Sequence, residues 1–166
     1  MNWDTYFMSM AFLVAMKSKD EQTHNGAVIV GWGNEILSTG YNSFVRGAID
    51  DLPERQERPE KYFHFEHSER SAIYNAARVG IKLEGARIYV TGVPCMDCAR
   101  AIVQVGIEEC ITTKWHTERM QGRWNEHIDK TLQLFKEVKV HHRFYGGEYI
   151  HNITSLVQGI EYKLGV

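Results

Sequence analysis

The chain has 166 residues, 43% of them hydrophobic and 24% charged, which suits one domain with a real core and leaves too little for two. A formal charge of −2 argues against gripping a nucleic-acid polymer through its phosphates, a task that calls for a basic excess, but leaves room for a local basic pocket for one nucleotide. The start, Met1 to Asp4, has no basic n-region, the apolar stretch 7–16 is too short to span a bilayer, and three cysteines make no disulfide framework, so the expectation is a cytoplasmic protein with reduced thiols and no membrane partner.

In chain order, Asp4 is expected to cap a first helix running to about Lys17, with Phe7, Met8, Ala11, Phe12 and Ala15 at helical spacing. The apolar run 27–30 predicts a buried strand, 31–34 a turn and 35–39 the return strand of a hairpin. Residues 43–66 are polar, charged and irregular, with Pro53 and Pro59, and predict a long loop, of the kind that is functional or mobile. A helix follows over 67–79, with Ala72, Ile73, Ala76 and Ala77 on one face and Gly80 as its stop. Next come a strand over 87–91, a helix over 94–105, a strand over 109–113, a helix over 126–135 and a strand over 138–144. Strands alternating with helices after residue 66 predict a mixed sheet with helices on its faces. The segment beyond Gly146 shows no clear pattern. The expected organisation is a single domain over 1–166, with a motif-bearing core at about 5–115 and a less legible part over 116–166.

Two segments carry chemistry. His67-Ser68-Glu69 opens one predicted helix and Pro94-Cys95-Met96-Asp97-Cys98 opens another, with 24 residues, Arg70 to Val93, between them. One imidazole and two thiolates suit zinc, and three protein ligands leave the fourth tetrahedral position for water, as catalytic sites do. Zinc can lower the pKa of that water to about 7. Pro94 suits a first helical turn, where its missing N–H costs nothing, and Cys95 and Cys98 are spaced to face one point from a helix start that favours thiolates. Glu69, two residues past the histidine, is placed to move a proton from water to a leaving amine. H-x-E with P-C-x-x-C is the signature of zinc deaminases. A second frame, His64-Phe65-Glu66, precedes the helix and is the weaker match.

The remaining groups are read more plainly. A C-x-x-C alone could be a redox pair or half of a zinc knuckle, but neither explains His67 and Glu69. Cys110 reads as core. His24, His116, His127, His141 and His142 read as surface residues or supports of the site, and Trp115, Trp124, Phe144 and Tyr145 as core. Lys17 and Lys19 either end the first helix in solvent or meet a phosphate.

The chain resembles the deoxycytidylate deaminase branch of the cytidine deaminase superfamily. The segment 67–73 is similar to that branch's H-A-E-x-N-A-I, with Ser68 and Ser71 as departures. Ser18-Lys19-Asp20 and the segment 25–29 resemble its S-K-D and V-G-A-V-I, and 40–47 resembles G-Y-N-G-F-P-R-G, followed by Asp50-Asp51. The run 95–107 resembles its cysteine motif helix. The resemblance implies a three-layer α/β/α domain around a five-stranded mixed sheet, one zinc ion on His67, Cys95 and Cys98, and proton transfer by Glu69. It places Asn42 on the nucleotide sugar or base, Ser18 and Lys19 in the substrate-binding set, and the backbone at Val93 and Pro94 against the base. The implied reaction is dCMP plus water to dUMP plus ammonia, supplying dUMP for dTTP synthesis. The resemblance also implies a homo-hexamer switched by dCTP and dTTP at a pocket around Gly40, Tyr41, Ser43, Arg46 and Asp50, where Ser43 and Val45 depart from the branch's glycine and proline. Rival readings are a dCTP, dual or C5-substituted dCMP deaminase, then a tRNA adenosine deaminase or a non-catalytic, zinc-stabilised nucleotide-binding module.

Overall fold

The computed structural model describes residues 1–120, 122, 124–150 and 152–165. The elements are α1 (Trp3–Ala15), β1 (Gly26–Val30), β2 (Ile36–Tyr41), β3 (Ser43–Phe44), α2 (Lys61–His64), β4 (Phe65–Glu66), α3 (Ser68–Val79), β5 (Arg87–Val90), α4 (Met96–Gln104), β6 (Glu109–Thr113), α5 (Lys114–Arg119), α6 (Asn125–Glu137), β7 (His141–Tyr145), β8 (Ile153–Val157) and β9 (Ile160–Leu164). A 3-10 turn lies at Pro53–Gln56.

Five strands form one mixed sheet in the order β2-β1-β5-β6-β7. β1 is antiparallel to β2 and β5, while β5, β6 and β7 run parallel. Side chains alternate along each strand, so each strand feeds both faces. Ala27, Ile29, Ile88, Val90 and Cys110 face a cluster with Ala72, Ile73 and Ala76 of α3, Ala99 and Ile102 of α4, and Phe135 of α6. Val28, Val30, Tyr89 and Ile111 face the other way, onto Phe7, Met8, Ala11 and Phe12 of α1 and Ile153 and Leu164 of the β8–β9 hairpin. The result is the expected α/β/α sandwich, with α3, α4 and α6 on one face.

Two glycines set how closely the layers approach. A Cβ at Gly26 would stand 1.9 Å from the Ala11 carbonyl oxygen, and one at Gly40 would stand 2.3 Å from the Ala72 nitrogen and 2.4 Å from the Ser68 carbonyl oxygen. Helix α3, which begins beside His67, therefore lies directly on β2 because position 40 has no side chain.

Several expectations need correction. The first helix is capped by Asn2, whose side chain accepts the Thr5 N–H at 2.8 Å. Asp4 lies in the first turn, and its carboxylate instead accepts from Arg143 at 2.8 and 2.9 Å and from the Tyr89 hydroxyl at 2.7 Å. The Arg143 hydrogen bonds hold Asp4 below the usual carboxylate range, against burial. The segment 43–66 is no plain loop: β3 pairs with β4 through Ser43↔Glu66 and Phe44↔Phe65. Pro94 lies outside its helix, because Cys95, with extended backbone at φ −69° and ψ 167°, is the N-cap. Helix α5 and the β8–β9 hairpin have no counterpart in the sequence reading. Phe144, expected in the core, is 44% exposed, because it sits on the outer edge strand β7.

Candidate active site

α3 and α4 both begin at a candidate ligand. His67 is the N-cap of α3 and Cys95 the N-cap of α4, and neither side chain caps its own helix. Both side chains turn toward one point. His67 Nδ1 stands 3.4 Å from Cys95 Sγ and 3.6 Å from Cys98 Sγ, and the three ligand atoms lie within 4.8 Å of one another. Among the described residues this is the one group of three or more histidine, cysteine or acidic side chains so arranged. One imidazole nitrogen and two sulfurs on a mostly buried floor are a donor set suited to zinc.

The two thiols are held unequally: Cys98 is pushed well above the ordinary thiol value by its hydrogen bond with Cys95 and by burial. Cys95 is brought down to about 3 by its hydrogen bond with Cys98, opposed by burial and reinforced by His67. Burial pulls the His67 pKa down, but the hydrogen bond and charge of Cys95 outweigh it and leave it raised. Glu69 is buried beside them, and burial raises its pKa above the ordinary carboxyl value. Its Oε2 accepts from the Ser68 hydroxyl at 2.9 Å, which fixes the carboxyl group. A buried carboxyl of raised pKa, held next to a metal-type donor set, is placed both to take and to return a proton.

The cluster forms part of the wall of a cavity of about 810 Å³. Its walls include Asp20, Thr23 and Asn25 from the segment before β1, Asn42 after β2, Val93 and Pro94 before α4, and His116 and Thr117 of α5. The Val93 N–H donates to Thr117 Oγ1 at 3.1 Å, and the Thr131 hydroxyl of α6 donates to the Pro94 carbonyl at 2.9 Å, so the loop between β5 and α4 is held from two sides.

Residues 1–114 match the family described as the cytidine and deoxycytidylate deaminase zinc-binding region. The chain belongs to this deaminase family. It is 40% identical over 123 residues to the human deoxycytidylate deaminase, an overlap of 70% of this chain and 68% of that one. To the probable deoxycytidylate deaminase of Drosophila melanogaster it is 38% identical over 121 residues, 67% of this chain and 59% of that one, so it spans under two thirds of the fly relative's length. Its fold is similar to the dCMP deaminase of cyanophage S-TIM5, solved in complex with dCMP and dUMP, at a TM-score of 0.69 and 21% identity, covering 86% of this chain and 96% of that one. The cofactor is zinc: the matched region is the family's zinc-binding region, and the donor set found here suits that ion.

Within the deaminase frame the sequence-derived residues separate. His67, Glu69, Cys95, Asn42, Val93 and Pro94 all line the cavity, and Cys98 completes the donor set. Asn42 is buried, and its polar atoms are engaged internally: Nδ2 donates to Asp20 Oδ2 at 3.0 Å and to the Thr23 carbonyl at 2.8 Å, and Oδ1 accepts the Asn25 N–H at 2.7 Å. Ser18 and Lys19 are not lining residues. Ser18 donates to the Asn42 carbonyl at 2.6 Å, and Lys19 pairs with Asp50 on the surface. Gly40 is covered by α3, Arg46 donates to Asn75 Oδ1 at 3.0 Å, and Tyr41 and Ser43 are half-buried outside the cavity lining. The second frame is spent elsewhere: His64 contacts Glu60 at 2.8 Å, and Glu66 takes Arg70 at 2.5 Å.

The structure adds residues that no motif marked. Arg58, Lys61 and Tyr62 bring the 43–66 segment to the cavity, with Lys61 buried and paired to Asp20 at 2.5 Å. Trp124, expected in the core, lines the cavity instead, its ring edge-on to His67 at 6.1 Å, and His127 beside it accepts the Met96 N–H at 3.3 Å. His116 is fully buried. Burial lowers its pKa to about 4, opposed mainly by the His24 carbonyl, and neither ring nitrogen makes a hydrogen bond of ordinary geometry among the described residues.

Proposed function

We propose that the chain hydrolytically deaminates a free deoxycytidine nucleotide, with dCMP as the first substrate: dCMP plus water gives dUMP plus ammonia. The observation that carries this reading is the juxtaposition of His67, Cys95 and Cys98 with buried Glu69 in one nucleotide-sized cavity. In this reading His67 Nδ1, Cys95 Sγ and Cys98 Sγ hold the zinc. Zinc bound there supplies Lewis-acid activation of water at neutral pH. Glu69 accepts a proton from the attacking water and passes it to N3 of cytosine; it then takes the remaining proton from the new C4 hydroxyl and delivers it to the amino group, so that ammonia leaves and the C4 carbonyl of dUMP forms. Ser68 keeps the Glu69 carboxyl aimed by its hydrogen bond. The segment at Val93 and Pro94, braced by Thr117 and Thr131, supports the base. Asn42 acts by ordering the segment 20–25 beside the sugar, since its side chain ties Asp20, Thr23 and Asn25 together.

The retained, buried Glu69 favours catalysis over a zinc-stabilised binding module, and the charge of −2 disfavours an RNA substrate. A cytoplasmic setting, where thiols stay reduced, fits three free cysteines. We also propose one domain over 1–166, since one face of the single sheet packs Phe7 and Leu164, from either end of the chain, into one cluster. Assembly as a homo-hexamer, with dCTP and dTTP acting at the segment 40–50, rests on the motif resemblance alone.

The test is ammonia release from cytidine, CMP, dCMP, dCTP and 5-methyl-dCMP by zinc-loaded protein, with and without added dCTP. The expected result is preferential turnover of dCMP. Equal or better turnover of dCTP would move the assignment to a dual or triphosphate enzyme, and no turnover on any of them would defeat the deaminase reading.

A further inference from the structure

The C-terminal hairpin, which lies beyond the family-matched residues 1–114, reaches the cavity. β8 and β9 pair from Ile153↔Leu164 to Val157↔Ile160, leaving Gln158 and Gly159 as a two-residue turn. Both have positive φ, 49° and 76°. Two central residues of positive φ are the type I′ pattern, for which Asn-Gly or Gly-Gly is the favoured pair. A glutamine at the first position is backbone-strained, and strain of this kind is retained where the side chain has work to do.

Gln158, exposed at the hairpin tip, is one of the residues that line the cavity. The tip that carries it is fixed by four bonds. The Gln158 N–H donates to Thr23 Oγ1 at 3.1 Å and the Gly159 N–H to the Gln22 carbonyl at 2.7 Å. The His24 N–H donates to the Leu156 carbonyl at 2.8 Å, and Gln158 Nε2 donates to the Arg119 carbonyl at 2.9 Å. Because Arg119 offers a carbonyl, the carboxamide orientation is set: nitrogen toward α5, oxygen free. The second Nε2 hydrogen and the Oε1 lone pairs have no partner among the described residues.

Cys95, Cys98 and Glu69 are buried while Gln158 is exposed. A cytosine whose amino group reacts at the buried end leaves its sugar and phosphate toward the rim. We propose that Gln158 is a substrate-binding residue whose carboxamide contacts the sugar–phosphate end of the deoxycytidine nucleotide. The proposal rests on the deaminase reading above.

The turn makes a clean test possible. Gln158→Asn puts the favoured Asn-Gly pair in the turn and shortens the side chain by one methylene, and Gln158→Gly removes the side chain with equally suitable backbone. Thermal midpoint, zinc per chain and steady-state kinetics with dCMP are measured for both. The expected result is a midpoint equal to or above the wild type, unchanged zinc, kcat within about twofold, and a KM for dCMP raised about tenfold, the effect of one lost hydrogen bond. A KM within about twofold of wild type in both variants overturns the proposal. So does a raised KM accompanied by a lowered midpoint, which would make the hairpin tip a structural latch only. Wild-type protein inactive on dCMP would defeat the deaminase reading together with this inference, whereas an active wild type with unchanged variants would defeat this inference alone.

Discussion

Two regions of the molecule build one cavity by different means. Up to residue 114 the cavity is made by backbone placement: two helices start on their own ligands, and one of them, α3, is let down onto the sheet by Gly40. Beyond it, the walls are made by side chains reaching in from elements packed around that frame: His116 and Thr117 from α5, Trp124 and His127 from around the start of α6, and Gln158 from the hairpin. The first arrangement supplies chemistry and tolerates little change, because a ligand set works only when all its members converge. The second shapes and stabilises the cavity and should change by degrees.

Substitutions in the two regions should therefore differ in kind as well as in size. The largest effect is expected at the donor set. Cys98→Ala should lose bound zinc, read by metal analysis, and lower dCMP turnover by about a thousandfold or more, since the metal needs the full set to be held. Retained zinc at full occupancy would show that Cys98 is dispensable. Next, Gly40→Val should push α3 off β2 and destabilise the protein by about 2–3 kcal/mol in urea unfolding, with turnover falling alongside. Unchanged stability would mean that α3 does not depend on that close approach.

In the second region, Gln158 apart, the expected effects are on stability and graded. His116 has a folded pKa of about 4 against an ordinary 6.5, so the unfolded chain binds its proton first on acidification. Its contribution is complete above about pH 6.5 and is lost as pH falls toward about 4, by up to about 3 kcal/mol. Urea midpoints of His116→Phe should fall less steeply over that window than those of wild type, with zinc content preserved at neutral pH; identical slopes would show that His116 is not buried neutral. The smallest effect is expected at the Arg143–Asp4 pair joining β7 to α1. The lowered Asp4 pKa adds stability above the ordinary carboxyl pKa and loses it as pH falls through the folded value. Arg143→Gln should cost about 1 kcal/mol at pH 7, discounted for partial exposure, with the difference from wild type closing below about pH 4.

The same division explains what could be read from the sequence. Cys95 and Cys98 are three residues apart and Glu69 is two from His67, so local spacing carried most of the site. The three central strands were legible as short strand-like segments at 27–30, 87–91 and 109–113, whereas their order in the sheet was not, because it depends on pairing between distant segments. Asp4 was misplaced as a cap because one acidic residue at a helix start serves equally for capping and for pairing with a distant arginine, and only the fold brings Arg143 there. Trp124 and Lys61 were not legible as cavity residues for the same reason: an aromatic at a helix start and a lysine in a charged segment look the same whether they face solvent, core or cavity. Gln158 carried a faint local signal, a glutamine before glycine between two apolar runs, that marked a turn at most.

The central claim is that Glu69 moves the proton while His67, Cys95 and Cys98 hold the ion. Wild-type protein and Glu69→Gln, compared at equal zinc loading for dUMP formed from dCMP, test it most directly. The predicted result is one zinc per chain in both proteins and turnover lower by about a thousandfold or more in the variant. Comparable rates at equal zinc, or loss of zinc from the variant, would contradict it.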